Sequence, residues 1–355
     1  MTDLRQRSIE IILQNQSETG AYIASPNFPN YHYCWFRDGA FAAYAMDLVS
    51  EHESAARFHA WVANVVNQRI MLIENTIRKV RQGNPVDASD VLNTRYRLDG
   101  DPAEEDWPNF QLDGLGTWLW ALAEHKRLAG GELPGPWLEA AGLVADYLLA
   151  LWRLPCYDCW EEFPKEIHSY TLATIYTGLR AHAALTGAEY DGARKEIFDL
   201  ISTKGVSDGH FVKFIGSKAV DASLIGLAVP YRIVGPKDPA MRSTIAQIES
   251  TLRSGTGVRR YATDTYYGGG DWVLLTAWLG WYYAEIGDWE KATEALKWVE
   301  AQAGPDGSLP EQVRSERTDD GYYRYWNERW GSIANPLLWS HAKYIILSNA
   351  LAQRP

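Results

Sequence analysis

The chain has 355 residues, long enough to bury about three quarters of its unfolded surface in one substantial core. It is 46% hydrophobic and 22% charged, which excludes a disordered or collagen-like protein and is typical of a soluble globular one. With 34 Lys and Arg against 45 Asp and Glu, its formal charge is −11, so we expect neither a nucleic-acid nor a membrane partner.

Helical periodicity runs along the chain, and strand-like alternation is rare and short. Apolar spacing predicts twelve helices, at residues 3–16, 38–50, 53–81, 112–129, 136–153, 166–185, 189–204, 218–229, 238–254, 271–286, 288–303 and 335–351. Short turns with Gly or Pro join many of these helices in pairs, and long loops rich in Gly, Pro, Asn and aromatic residues separate the pairs.

The alternation of short and long connections predicts an architecture, because antiparallel helices with every long loop at the same end place those loops on one face. We predict an all-α, single-domain (α/α)6 barrel over residues 1–355, with the amino-terminal ends of the inner helices around a common pocket. The helix count alone also fits a solenoid of hairpins.

Residues 1–20 lack the apolar core of a secretory signal, and no segment reaches the roughly 18 apolar residues of a membrane span. Cys34, Cys156 and Cys159 are too few for a disulfide scaffold and have no second Cys or His pair at zinc-finger spacing. We expect a cytoplasmic protein with reduced thiols.

The chain has 16 Trp and 20 Tyr but only 9 Phe, a bias toward rings that remain useful when partly exposed. Such rings pack on the C–H face of a sugar, although a large core accounts for most of them. Each long loop carries a cluster of aromatic and polar residues. These clusters are residues 34–38, 106–113, 158–162, 220–223, 259–267 and 309–312.

Two carboxylates in different protonation states are the minimum for hydrolysing a glycosidic bond. Glu161 lies between Trp160 and Glu162, where a like-charged neighbour and partial desolvation would raise its pKa as a general acid requires. Glu311 lies in a Gly/Pro-rich loop that could aim it inward. By themselves, Glu161 and Glu162 are also typical of acidic residues at the amino-terminal end of a helix, and Glu311 is also typical of a solvent-exposed loop.

Arg37 and Asp38 stand at a predicted helix start, where the aspartate can cap the helix and still bind sugar hydroxyls. The simplest interpretation of Asp113, which follows Gln111, is a helix cap, and the simplest interpretation of Arg260 is an ion-pair partner. No zinc-protease, nucleophile-elbow, Walker or dinucleotide motif is present. His168, His182, His210 and His341 form no metal set, so we predict no metal and no cofactor.

In chain order, the clusters resemble the catalytic domain of glycoside hydrolase family 15, the glucoamylase and glucodextranase group. Any one match is weak, but six in the right order, covering nearly the whole chain, are hard to obtain by chance. They are Tyr33-Cys34-Trp35-Phe36-Arg37-Asp38-Gly39, Trp107 with Asp113, Trp160-Glu161-Glu162, Arg260-Tyr261 to Tyr267 followed by Trp272, Pro310-Glu311-Gln312, and Pro336-Leu337-Leu338-Trp339-Ser340.

The resemblance implies an inverting exo-hydrolase in which Glu161 is the general acid and Glu311 the general base, with the two carboxyl groups about 6.5–9.5 Å apart. It assigns Glu162 to the leaving-group subsite and Arg37 and Asp38 to the hydroxyls of the terminal glucose. The other substrate-binding residues that it implies are Trp35, Trp107, Gln111, Asp113, Trp160, Arg260, Trp272 and Trp339.

Most bacterial members of that family begin with a β-sandwich, whereas this chain opens almost directly on a barrel helix, and we expect neither that domain nor a starch-binding module. The compact chain favours a short α-linked oligosaccharide, isomaltose-like or maltose-like, with β-glucose as product. The linkage depends on the leaving-group subsite, whose loops cannot be positioned from sequence, and α-1,6 is only slightly favoured.

Trehalose hydrolysis is the nearest alternative, since only the leaving-group subsite would differ. A carbohydrate phosphorylase needs no base carboxylate, so Glu311 argues against one, and an epimerase needs histidines that the loop clusters lack. A non-catalytic sugar-binding protein would keep Trp35, Trp107 and Arg37 but would not need two acids of opposed protonation.

Overall fold

The computed structural model describes residues 3–103 and 105–354. Within those residues the chain forms thirteen α-helices. They are α1 (Leu4–Gln14), α2 (Phe36–Leu48), α3 (His52–Asn67), α4 (Ile70–Arg81), α5 (Asp113–Ala129), α6 (Gly135–Leu151), α7 (Ser169–Thr186), α8 (Asp191–Lys204), α9 (Pro239–Leu252), α10 (Val273–Ile286), α11 (Trp289–Ala301), α12 (Asp320–Trp330) and α13 (Leu338–Ala352). The predicted all-α class is confirmed.

Short extended and 3-10 segments brace the loops between the helices. Four antiparallel ladders pair β1 (Cys34–Trp35) with β2 (Arg95–Tyr96), β3 (Val206–Ser207) with β4 (His210–Phe211), β5 (Arg253–Ser254) with β6 (Gly257–Val258), and β7 (Asp271–Trp272) with β8 (Gln312–Val313). The 3-10 segments are Pro29–Tyr31, Ala88–Asp90, Ala222–Leu227 and Tyr266–Gly268.

Six elements pack side by side in a closed inner ring. In ring order they are α2, α5, α7, the 3-10 segment Ala222–Leu227, α10 and α13, and α13 packs back on α2. In the outer layer α3 packs on α2, α6 on α5 and α7, α8 on α7, α9 on the 3-10 segment, α11 on α10, and α1 on α13. This is the predicted (α/α)6 barrel, and the closed ring excludes the solenoid, whose ends do not meet.

The prediction of one helix over 53–81 is wrong, because the structure divides this segment into α3 and α4. Arg69, at the break, has non-helical backbone angles (φ −114°, ψ 20°). Its guanidinium donates hydrogen bonds to the carbonyl oxygens of Val65 and Gly100, each at 2.7 Å, and lies 4.7 Å from the ring centroid of Tyr96. These contacts tie the break to a neighbouring loop.

The prediction of a helix over 218–229 is also wrong, because only Ala222–Leu227 is helical, and in the 3-10 form. Asp221 caps this segment through a 2.8 Å bond from the amide of Ser223, and Pro230 cannot continue a helix. Gly226 packs against Tyr170 so closely that an added Cβ would lie 2.8 Å from its ring.

Helix α12 is absent from the sequence prediction, whereas the remaining predicted helices agree with the structure to within a few residues. No described residue of α12 is fully buried; its inward face is a row of three half-buried rings, Tyr323, Trp326 and Trp330, set among polar and charged residues. Asp319 caps the helix by accepting hydrogen bonds from the amides of Gly321 (2.8 Å) and Tyr322 (3.0 Å). The ring of Trp326 lies 5.2 Å from that of Tyr266, which places α12 beside the barrel rim.

Cys34, Cys156 and Cys159 are free, buried thiols. Burial raises the pKa of each thiol well above its ordinary value, so all three stay neutral. Among residues 3–103 and 105–354, the structure contains no helix that is long and apolar enough to span a bilayer.

Helices α5 and α7 of the inner ring approach each other at Gly116 and Gly178. A Cβ added to Gly116 would lie 2.5 Å from the carbonyl group of Thr174, and one added to Gly178 would lie 2.9 Å from the Cα of Gly116. Both distances are too short for any side chain. The two glycines therefore set the spacing of these helices.

We expect Gly116→Ala to lower the free energy of unfolding by about 1–3 kcal/mol, because the methyl group must push α5 and α7 apart. Denaturant unfolding would measure the loss. The matched control is Gly142→Ala on α6, where the nearest atom to an added Cβ is 3.9 Å away; it should be neutral or slightly stabilising. Unchanged stability of Gly116→Ala would contradict the close-packing argument.

Candidate active site

A cavity of about 360 Å³ opens at the rim where α2, α10 and α13 begin. Of the thirteen residues predicted to form the site, eleven line it. They are Trp35, Arg37, Asp38, Trp107, Trp160, Glu161, Glu162, Arg260, Trp272, Glu311 and Trp339. The structure thus brings together residues from widely separated loops, including both predicted carboxylates.

Glu161 sits at the tip of a tight loop in the left-handed backbone region, with φ of 69°, which few residues other than glycine adopt. The side chain of Asp158 supports this loop, because its Oδ1 accepts hydrogen bonds from the amides of Trp160 (3.0 Å) and Glu162 (2.9 Å). The amide of Glu161 in turn donates to the carbonyl of Asp158 at 2.9 Å.

A buried lysine holds the base of this loop. Lys213 Nζ lies 2.9 Å from Asp158 Oδ2 and 2.5 Å from Asp221 Oδ2. Asp221 also accepts the indole N–H of Trp160, at 3.0 Å to Oδ2 and 3.1 Å to Oδ1. The two carboxylates raise the pKa of Lys213 against the effect of burial, so the lysine stays charged and its ion pairs fix the backbone that carries Glu161.

The carboxylate of Glu161 is also held by Trp35, whose Nε1–H donates to Glu161 Oε1 at 2.5 Å. Burial raises the pKa of Glu161, and the positive charge of Arg37 partly opposes that rise. The direction of this shift favours the protonated carboxyl group that a general acid requires.

Glu311 is only 2% exposed, and its carboxylate has two different oxygens. Oε1 accepts a hydrogen bond from the hydroxyl of Tyr31 at 3.0 Å, and that hydroxyl lies 2.9 Å from the hydroxyl of Tyr266. Oε2 is buried and has no hydrogen-bond partner among the described residues. Burial raises the pKa of Glu311 to about 7, while Tyr31 and Arg260 act in the opposite direction.

Backbone hydrogen bonds fix the loop that carries Glu311. Its amide donates to the carbonyl of Ala334 at 2.9 Å, just before α13, and its carbonyl accepts from the amide of Val273 at 3.1 Å, at the start of α10. The next residue, Gln312, pairs with Trp272 in the β7–β8 ladder. Glu311 is therefore anchored to two inner helices.

Arg37 is a buried cation in the first turn of α2. Its Nε lies 3.3 Å from Asp38 Oδ2, and its Nη1 lies 3.2 Å from Asp113 Oδ2 and 3.1 Å from Gln111 Oε1. Its guanidinium carbon is 5.1 Å from the ring centroid of Trp339. Gln111 and Asp113 were predicted to bind substrate, but they lie behind Arg37 and are not part of the cavity wall.

Arg260 is the second buried cation of the wall. It makes a two-bond pair with Asp264, from Nε to Oδ2 at 2.8 Å and from Nη2 to Oδ1 at 2.5 Å. Its Nη2 also lies 3.5 Å from Oε1 of Glu162, whose other oxygen accepts a hydrogen bond from Tyr261. Glu162 is thus oriented by a cation and a hydroxyl at the edge of the cavity.

Aromatic side chains close the cavity from below. Trp339 lines it and stacks on Phe41, with ring centroids 5.8 Å apart. Phe41 in turn lies 5.6 Å from Trp278, and all three rings are buried. This floor leaves the rim as the open side of the cavity in the described part of the chain.

The sequence motifs do not single out several residues of the cavity wall. Tyr31 precedes the first motif, Tyr266 is only one member of its cluster, and no predicted helix corresponds to α12. The density of Tyr and Trp in residues 322–330 is the signal that could have indicated α12. The missed lining residues with aromatic or charged side chains are Tyr31, Asp106, Tyr266, Trp326, Arg329 and Trp330.

A helical barrel whose rim holds one buried and one partly buried glutamate, two paired arginines and a wall of indole rings defines an enzyme that acts on carbohydrate. A family model of glycosyl hydrolases family 15 matches residues 2–304. The isomaltose glucohydrolase of Kribbella flavida is 40% identical over 361 residues, which cover 99% of this chain and 94% of that protein. The chain therefore belongs to glycoside hydrolase family 15, and it is a glycosidase.

Two further comparisons bear on the site. A glycosidase variant solved in complex with glucose superposes with a TM-score of 0.95 at 40% identity, over 99% of this chain and 97% of that one. Trehalase 2 of Sulfolobus acidocaldarius is 26% identical, over 79% of this chain and 53% of that protein. The chain spans about half the length of that trehalase.

The raised pKa of Glu311 makes stability depend on pH. Its folded-state pKa is about 7 and its ordinary value is 4.5, so between these values the unfolded chain releases a proton that the folded chain keeps. Tighter proton binding by Glu311 therefore stabilises the folded state fully below the unfolded-state pKa of 4.5. This stabilisation is lost as the pH rises through the folded-state pKa of about 7.

We therefore expect Glu311→Gln to raise the melting temperature at pH 8 by several degrees, and by much less at pH 5, because glutamine removes a buried charge that forms only at the higher pH. Thermal unfolding at the two pH values would measure the difference. An equal gain at both, or a loss at pH 8, would contradict the raised pKa.

Proposed function

We propose that this glycosidase is an inverting, exo-acting α-glucoside hydrolase that releases β-glucose from the non-reducing end of a short isomaltose-like oligosaccharide. The observation that carries the proposal is the presence of Glu161 and Glu311 in one cavity with different surroundings. Glu161 is held by the indole N–H of Trp35, whereas Glu311 keeps one buried oxygen without a partner among the described residues. We further propose that residues 1–355 act as a single catalytic domain; a cytoplasmic location stays a prediction.

In the proposed reaction Glu161, protonated, donates its proton to the glycosidic oxygen as the bond from that oxygen to the anomeric carbon breaks. Oε2 of Glu311, ionised, accepts a proton from a water molecule whose oxygen bonds to the anomeric carbon from the opposite face. The products are β-glucose and the shortened sugar. Glu161 is left ionised and Glu311 protonated, and proton exchange with solvent restores both.

The two carboxyl groups must differ in protonation during this reaction. With a pKa of about 7, Glu311 is ionised in about half of the molecules at neutral pH and in most of them at higher pH, and the Tyr31 hydrogen bond and the charge of Arg260 oppose the rise that burial causes. Burial raises the pKa of Glu161, which favours its protonated form. Binding of a sugar beside Glu161 displaces water and strengthens this effect.

The shape of the cavity supports exo action on a terminal glucose. The floor of Trp339, Phe41 and Trp278 limits how far a sugar can enter. Arg37 and Asp38 border the cavity near this floor, where a charged pair can bind hydroxyl groups that only a chain end presents. We assign them to the terminal glucose, with Gln111 and Asp113 as residues that position Arg37.

The leaving group of the substrate would contact the outer wall. Glu162, Trp107 and the α12 residues Trp326 and Arg329 border the cavity there. The 40% identity to an isomaltose glucohydrolase over nearly the whole chain supports an α-1,6 linkage. Trehalose is the second candidate, because a trehalase matches over 79% of the chain at 26% identity.

We expect Glu161→Gln and Glu311→Gln each to lower kcat for glucose release by roughly two or more orders of magnitude, because each removes a proton transfer, while substrate binding is retained. Glucose release would be followed with an enzyme-coupled assay, and binding by calorimetry. Glu166→Gln is the matched control, since Glu166 lies close in sequence but does not line the cavity. Ordinary turnover in either variant would refute its assigned role.

We expect isomaltose to give the highest kcat/KM among isomaltose, maltose, nigerose, kojibiose and trehalose, with β-glucose as the first anomer released. Proton NMR during early turnover of isomaltotriose, whose leaving group is not glucose, resolves the two anomers before mutarotation. First release of α-glucose from its non-reducing end would exclude inversion. A preference for trehalose would leave the mechanism intact but assign the second candidate substrate.

A further inference from the structure

Three buried side chains meet at a point that the hydrolytic reaction does not use. Asp47 lies near the end of α2, His59 on α3 and His125 on α5, and they are 3%, 0% and 6% exposed. One ligand atom of each, a carboxylate oxygen or an imidazole nitrogen, lies within 4.8 Å of the others. Nothing in the hydrolysis of a glycosidic bond requires this cluster.

The cluster is remote from the cavity. Helices α2 and α5 begin at the rim, with Asp38 and Asp113 in their first turns. At about 1.5 Å of rise per residue, Asp47 lies roughly 14 Å and His125 roughly 18 Å further along those helices. The three residues therefore belong to the opposite end of the barrel.

His59 gives the cluster its unusual character. Both of its ring nitrogens are buried and lack a hydrogen-bond partner among the described residues. Its ring centroid lies 5.0 Å from that of His125. A buried polar group left without a partner destabilises the folded state, and a bound ligand for the imidazole would remove that penalty.

His125 and Asp47 are held in contact by a hydrogen bond. His125 Nδ1 lies 2.9 Å and 3.0 Å from the two carboxylate oxygens of Asp47. The indole ring of Trp137 covers the two histidines, with its centroid 5.9 Å from His59 and 6.0 Å from His125. The cluster thus combines two imidazoles and one carboxylate within an aromatic pocket.

We infer that Asp47, His59 and His125 form a binding site for a divalent transition-metal ion of the zinc type. Imidazole nitrogen with one carboxylate is a ligand set that Zn²⁺ takes in tetrahedral sites. Ca²⁺ and Mg²⁺ fit poorly, because they take six or more oxygen ligands. Bonds of about 2.0–2.2 Å to a central ion require the ligand atoms, which lie within 4.8 Å of one another, to stand about 3.3–3.6 Å apart, so the ion would take the place of the hydrogen bond between His125 and Asp47.

His52 supplies both an access route and a fourth contact. Its Nδ1 lies 2.8 Å from Asp47 Oδ1, and its side chain is 36% exposed. An ion can therefore reach the carboxylate from solvent past this imidazole. With the ion bound, His52 either completes the tetrahedron or keeps its hydrogen bond to Asp47, as residues that surround metal ligands commonly do.

The site would join three helices. Asp47 belongs to α2 and His125 to α5, which are adjacent in the inner ring, and His59 belongs to α3 of the outer layer. A metal ion bound only in the folded state stabilises that state by mass action. The expected readout is therefore thermal stability, which is independent of the proposed glycosidase reaction.

The test uses the full chain, freed of metal by dialysis against EDTA, with ZnCl₂ as the probe. We expect the melting temperature to rise by several degrees on addition of Zn²⁺, and calorimetry to give one ion per chain. His59→Phe keeps a ring in the pocket but removes both nitrogens, and it should abolish the rise and the stoichiometric binding. The matched control, His182→Gln on α7, should retain both.

Absence of a stoichiometric ion in the wild-type chain would overturn the inference. So would an equal response in His59→Phe, because the ion would then bind elsewhere. Should His59→Phe not fold, Co²⁺ in the wild-type chain decides instead. A visible absorption band with the intensity of a tetrahedral Co²⁺ complex supports the site if Zn²⁺ abolishes the band and Asp47→Asn weakens it. Absence of the band overturns the inference.

Discussion

The cavity depends on the contact that closes the inner ring, where α13 packs on α2. This contact brings Arg37, in the first turn of α2, against Trp339, in the first turn of α13. The loop of Glu311 is bonded to Ala334, just before α13, so the same closure sets Glu311 against Tyr31. In an open array of hairpins, the first and last motifs of the chain would not face one another, and no common cavity would form.

The buried cations in and beneath the cavity wall are neutralised within the protein. Arg37 and Arg260 in the wall, and Lys213 beneath the Glu161 loop, are each paired with carboxylates. Glu311 has no ion pair among the described residues, one of its oxygens lacks a hydrogen-bond partner there, and burial raises its pKa to about 7. An ionisable group with a strongly shifted pKa among ion-paired side chains is typical of a catalytic site. Such a buried carboxylate also destabilises the fold, as reactive groups in active sites commonly do.

Local patterns in the sequence predict the barrel and most of the cavity wall, because helix periodicity and the loop clusters depend on near neighbours. The features that the sequence did not reveal depend on distant contacts. The 3-10 segment Ala222–Leu227 lies where Gly226 meets Tyr170, and α12 carries Trp326 and Arg329 on a helix with no fully buried residue among those described. The buried Asp-His-His cluster escapes notice for the same reason, since no spacing rule links residues on three different helices.

The aromatic floor has a consequence for the order of events in a reaction cycle. With Trp339, Phe41 and Trp278 closing the interior, a sugar that enters at the rim can leave only by the rim, within the part of the chain that the structure describes. The outer half of a cleaved substrate must then depart before the inner half, and the inner half must depart before the next molecule enters. Such a dead-end pocket cannot thread along a polymer, and accumulating monosaccharide competes directly with every incoming chain end.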